Sequence, residues 1–192
     1  PGRDTAVLAS RSVLADLEIL LACGWARRRA GAARIGAARM TILPGWHPMV
    51  VHFPLALVVT ATALLSAARL VRRERRAALL ATVGTWNLCL GAAAALFALG
   101  TGLAAALGLD VGAAAHQAIS LHVKWAFSTS AVLVMLAVWR GAGCAQESRP
   151  SWIFTMVLLA ATAALIMTGY RGGQNVYRFG VGVEQQTMAS RP

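Results

Sequence analysis

Residues 49–70 read MVVHFPLALVVTATALLSAARL. Apart from His52, nothing ionisable interrupts this run before Arg69. About 20 such residues, rising about 1.5 Å each as a helix, cross the roughly 30 Å of hydrocarbon in a bilayer. Within hydrocarbon the backbone must satisfy its own hydrogen bonds, so the segment is read as a transmembrane helix. Three further apolar stretches have the same character: about Ala77 to Leu107, about His116 to Trp139 and about Ser151 to Tyr170. The second is expected to break near its end, at Gly100-Thr101-Gly102. Short connections favour antiparallel neighbours. The expected fold is therefore all-α, an integral membrane four-helix up-down bundle.

Composition agrees. Of 192 residues, 58% are hydrophobic and 13% charged, with mean hydropathy +0.62. A soluble domain carries about 25% charged residues. The net charge of +11 and pI near 11.5 raise the question of nucleic acid. Here the arginines fall in short runs between apolar spans, with no basic face interleaved with aromatics, so they are read as topology signals. No nucleic-acid partner is expected; the lipid bilayer is. Cys23, Cys89 and Cys144 are widely spaced and form no CxxC, which removes a zinc knuckle and a covalent haem attachment. Cys89 reads as a small core residue.

Five arginines (Arg69, Arg72, Arg73, Arg75 and Arg76) surround the first link, and Arg140 and Arg149 flank the third. The positive-inside rule puts both links in the cytoplasm of a bacterial inner membrane. Both ends of the bundle then face outward. Residues 40–183 are taken as the membrane domain and 184–192 as a tail. Residues 1–39 are Ala-, Gly- and Arg-rich near their end and lie on the side where basic residues are not expected. They are read as an upstream extension outside the natural protein, which would then start at Met40. The competing reading is a basic amphipathic surface helix on Val13 to Trp25.

The four histidines all sit at outward span ends. His47 and His52 open the first span (GWHPMVVHFP), and His116 and His122 open the third (AHQAISLHVKW). Ionisable groups at membrane depth are costly and tend to be functional. The first and third spans are diagonal partners in an up-down bundle. Depth pairs His47 with His116, and His52 with His122. Two imidazoles on facing helices can hold one b-type haem. His52 and His122 are preferred as the axial pair because depth should shield them better. Helical phase sets a limit: five residues rotate by about 140° and six by about 240°, so one helix cannot aim both histidines along one line. If His47 lies in a non-helical entry before Pro48, all four could instead converge on one transition-metal ion. The plainer alternative is that they bond only to water, headgroups or loop carbonyls. Pro54 removes a ladder bond and suggests a bend near His52.

Gly172 and Gly173 are expected to end the last helix, leaving Tyr170 to Val183 as a folded cover over the outer mouth of the bundle. Arg171 is a candidate for an anionic group such as a haem propionate or lipid phosphate. Asn87 and Trp86 are expected to bond between helices. No GxSxG, HExxH, P-loop or dinucleotide fingerprint is present, and no catalytic residue is assigned.

HPMVVHFPLAL (His47 to Leu57), the Gly108 to Asp110 close of the second span, the histidine at the head of the third, and GYRGGQNVYRFGVGV (Gly169 to Val183) together resemble a bacterial membrane family, domain of unknown function 2231 (DUF2231). The resemblance spans about Gly45 to Val183. It implies a four-helix membrane protein and leaves the activity open. The functional expectation is a redox subunit holding one b-type haem near the outer face and exchanging electrons with a quinone or periplasmic partner. The alternative is a non-enzymatic scaffold or metal-binding accessory subunit.

Overall fold

The computed structural model describes residues 46–107, 111–141 and 149–181. They form five helices: α1 (His47–Val50), α2 (His52–Leu70), α3 (Glu74–Leu107), α4 (Ala113–Gly141) and α5 (Trp152–Phe179). α1 and α2 run on as one span. With it, α3, α4 and α5 give four segments long and apolar enough to cross a membrane. Among the described residues there is no strand. The reading of residues 1–39 lies outside the described residues, as does residue 110.

Each span packs on its neighbours in chain order, and α2 also packs on α5, closing the ring. The backbones of the diagonal pairs α2/α4 and α3/α5 do not approach closely. Neighbours are antiparallel. Gly84 lies against Leu65, Gly91 against Val58 and Gly102 against His47, one helix descending as the other climbs. The up-down bundle is thus observed, with the first and third spans diagonal.

Hydrocarbon offers helices no hydrophobic reason to associate, so close packing of small residues must do it. α3 supplies them. A Cβ at Gly84 would lie 2.7 Å from Leu65 Cγ, and one at Gly91 2.8 Å from Val58 Cγ2. Ala77, Ala81, Ala92, Ala95 and Ala98 are buried along the same helix. The core is completed by Leu65, Leu88, Leu133, Leu136 and Leu158. Polar ties cross it: Thr62 and Thr162 hydroxyls meet at 2.7 Å, and Thr129 and Thr168 at 3.3 Å. Trp86, Phe97, Trp139, Ile153 and other large apolar side chains point outward, as a lipid-facing surface requires.

Helix ends follow local chemistry. Pro54 has no N–H, and the first span is interrupted at Val51, one turn before it. Ser151 caps α5 by accepting from the Phe154 amide at 3.2 Å. At the other end Gly180 takes φ +63, where a Cβ is disfavoured, and Val181 N–H returns to the Asn175 carbonyl at 3.1 Å.

Several expected boundaries are corrected. Gly100 and Gly102 do not break α3, which continues to Leu107. Gly172 and Gly173 do not end α5, which continues to Phe179, so Tyr170 to Phe179 is helix and not a cover. Glycine lowers helix propensity by about 1 kcal/mol in water, but packed membrane helices tolerate it. His47 is helical, with Trp46 as its N-cap, so no extended entry precedes Pro48. Asn87 donates to the Val83 carbonyl of its own helix at 2.9 Å, and Trp86 is exposed, so neither makes the expected interhelical bond.

Candidate functional site

His47, Gly102, His122 and Gly172 gather at one end of the bundle, with one residue from each span. α1 places His47 against the last turns of α3, where a Cβ on Gly102 would come 2.8 Å from His47 Cε1. α4 places His122 against α5, where a Cβ on Gly172 would come 3.1 Å from His122 Cε1. Each glycine is thus the surface on which an imidazole lies, which is why these positions take glycine within uninterrupted helix. The two imidazoles belong to diagonal spans, the first and the third.

The His47 ring is held in a defined sense. Thr101 gives its hydroxyl proton to the Ala98 carbonyl of its own helix at 2.9 Å. A hydroxyl has one proton, so the Thr101 oxygen turns a lone pair toward His47 Nδ1, 3.2 Å away. In the neutral ring Nδ1 therefore carries the hydrogen, and Nε2 keeps its lone pair. His122 is held differently. The Thr168 carbonyl approaches its ring, but Nδ1 is buried with no hydrogen-bond partner. Thr168 is itself tied to the Ala164 carbonyl at 2.8 Å. Nearby, Arg171 lies over the Trp125 ring, 5.2 Å from its centre, and its Nε is likewise buried without a partner. Leaving a buried polar atom without a hydrogen bond costs about 1–3 kcal/mol, so two at one end are a marked departure from ordinary packing.

The histidines do not pair as depth alone suggests. His52 and His116 are exposed on the outer surface of the bundle, while His47 and His122 turn inward. The shielding expected of His52 is absent. Its five-residue offset from His47 turns it to the opposite side, as His116 is turned by its six-residue offset from His122. The inward pair is therefore His47 with His122, and not His52 with His122. Among the described residues no group of three or more His, Cys, Asp or Glu side chains converges, so the four histidines do not meet around one ion. Arg171 is next in sequence to Gly172, at the level of the inward histidines. Thr101 and Gly102 entered the sequence reading only as part of an expected break, and Trp125 and Thr168 not at all. Their signal was countable: in an antiparallel pair, the residue facing His47 falls near the end of the second span, where GTG interrupts the aliphatic run.

The opposite end carries the basic links. Arg149 pairs with Glu74 at 2.8 Å and also donates to the carbonyls of Arg72 at 3.2 Å and Arg69 at 3.5 Å, closing the C-terminus of α2. Arg69 lies over Trp152 at 4.9 Å. Arg140 is buried and donates from Nε to Thr85 at 3.2 Å.

No curated protein and no solved structure matches the chain. The family model described as a predicted membrane protein (DUF2231) matches residues 44–185, which covers all four spans and both inward histidines, and the chain belongs to that family.

Proposed function

We propose that this protein is a redox subunit of a bacterial plasma membrane, holding one b-type haem between His47 and His122 at the end of the bundle that faces outward. It passes electrons to or from a quinone or a protein partner on that side. The observation that carries this reading is the inward pair of imidazoles on diagonal helices, one of them oriented by Thr101 so that Nε2 keeps its lone pair. Gly102 and Gly172 let each imidazole seat closely against the neighbouring helix. The orientation follows from Arg69, Arg72, Arg73, Arg75 and Arg76 at the other end. Electron-transfer haems can be held by two axial ligands from the protein, whereas zinc sites use about three or four. Two inward histidines thus favour haem over the alternative, a scaffold or accessory subunit binding a single transition-metal ion.

The test is the visible spectrum of the detergent-purified protein, expressed with haem supplied. A Soret band is expected in the wild type, in His52→Ala and in His116→Ala, and is expected to vanish in His47→Ala and His122→Ala. No Soret band in the wild type sinks the proposal. Equimolar copper or zinc in its place would move the assignment to the ion-binding subunit.

A further inference from the structure

Arg171 stands in an unusual place for a cation. Near the end of a membrane helix, a long basic side chain ordinarily turns its charge to the water. Arg171 is close to the histidine end, next to Gly172, which lies at the level of the His122 ring. Trp125 is three residues further along α4, about 4.5 Å deeper into the bundle at 1.5 Å per residue. By lying over Trp125, the guanidinium reaches away from the end and toward the middle of the bundle. This is the direction in which helical side chains tilt, because the N-terminus of α5 is at the arginine end. The ring face attracts the cation and braces it. It offers no acceptor, and Nε is buried without one. Among the described residues the only acid is Glu74, which is held by Arg149 at the far end.

A braced guanidinium with an unused buried donor is a seat for an oxyanion. The planar fork of arginine matches a carboxylate, and charge-assisted bonds of this kind are the strong ones. The seat lies within one helical turn of His122. We propose that Arg171, held on Trp125, binds a carboxylate of the ligand between His47 and His122, so that this ligand is an amphipathic macrocycle that enters with its acidic edge toward α5. This rests on the haem reading, in which the carboxylate is a propionate.

The experiment compares haem b with its dimethyl ester, which has the same macrocycle and no anionic edge. Apo-protein purified in detergent from haem-starved cells is titrated with each and followed at the Soret band. Wild type is expected to bind haem b about tenfold or more tightly than the ester. Arg171→Gln is expected to bind both alike, at the level of the ester, and Arg171→Lys to recover part of the preference. Equal affinity of the wild type for the two ligands overturns the seat while leaving the haem site standing. So does full preference retained in Arg171→Gln, and an Arg171 that served only Asp110 or a lipid phosphate would give the equal-affinity result. No Soret change with either ligand overturns the haem reading and the seat together. If Arg171→Gln does not fold, the wild-type comparison alone decides.

Discussion

The two ends of the bundle treat buried polar groups in opposite ways. At the arginine end the charged groups are spent on the protein itself. Arg149 ties Glu74 and two carbonyls of the first link, Arg69 lies on Trp152, and Arg140 bonds Thr85. At the histidine end, His122 Nδ1 and Arg171 Nε are buried with nothing to bond. The Ser66 hydroxyl, about one turn before the arginine-end terminus of α2, is also unpartnered, so the arginine half holds one such atom and the histidine half two among the described residues. The contrast separates groups that tie the fold together from buried polar atoms that the fold leaves unbonded. An ion pair that closes a helix end stabilises the fold. A buried polar atom left without a hydrogen bond costs about 1–3 kcal/mol.

The largest effect is expected between the ends, where packing alone is at stake. Gly91→Leu drives a side chain into Val58, including its backbone amide at 3.3 Å from the new Cβ. Overpacking of this kind costs roughly 1–3 kcal/mol and more when backbone must move. Loss of a monodisperse peak and a lowered melting temperature in detergent are the expected readouts; unchanged melting would break the account of α3 as the packing spine.

The next pair of variants bears directly on the comparison. Thr85→Val removes an acceptor from a buried arginine and should destabilise by about 1–3 kcal/mol. His122→Leu removes an unmade polar group, and the ligand-free protein should melt at the same temperature or higher while haem binding is lost. If His122→Leu destabilises the ligand-free protein as much as Thr85→Val does, the distinction between the two ends fails. A smaller change follows from Thr101→Val, which frees the His47 tautomer. Outer-shell partners of metal-binding histidines are worth roughly 10–100-fold in affinity. Thr101→Ser should keep the affinity because it keeps the hydroxyl, and equal weakening in both variants would reduce Thr101 to a packing residue. The smallest effect is expected from Arg149→Gln. Its partner Glu74 is 84% exposed, so the pair contributes about 0–1 kcal/mol, and urea or thermal curves should barely move.

Much of this was legible in the chain because hydrocarbon imposes simple rules. Residues 49–70 had to be a helix, since no other backbone form survives there without open hydrogen bonds. Gly84 and Gly91, seven residues apart, share a face, and both meet the first span there. Where the reading failed, it treated glycine as it behaves in water. Gly102 and Gly172 were read as breaks, yet both lie within helix because a neighbouring ring fills the space a side chain would take.

The histidines show the same division. Sequence placed all four at one end and put the two spans that carry them on a diagonal, because short links force antiparallel neighbours. Depth alone then paired His52 with His122. Which histidine faces inward is a matter of rotation about the helix axis, and linear spacing states only that two residues five apart cannot share a face. The tertiary contacts decide it: Gly102 receives the His47 ring, Gly172 receives that of His122, and Thr101 turns the one, leaving His52 and His116 outside. Sequence determined the number of spans, their order and the end that carries the histidines, because burial in lipid depends on composition and length. Only the packed structure set which histidines turn inward there, because that depends on helical phase, which packing against neighbours fixes.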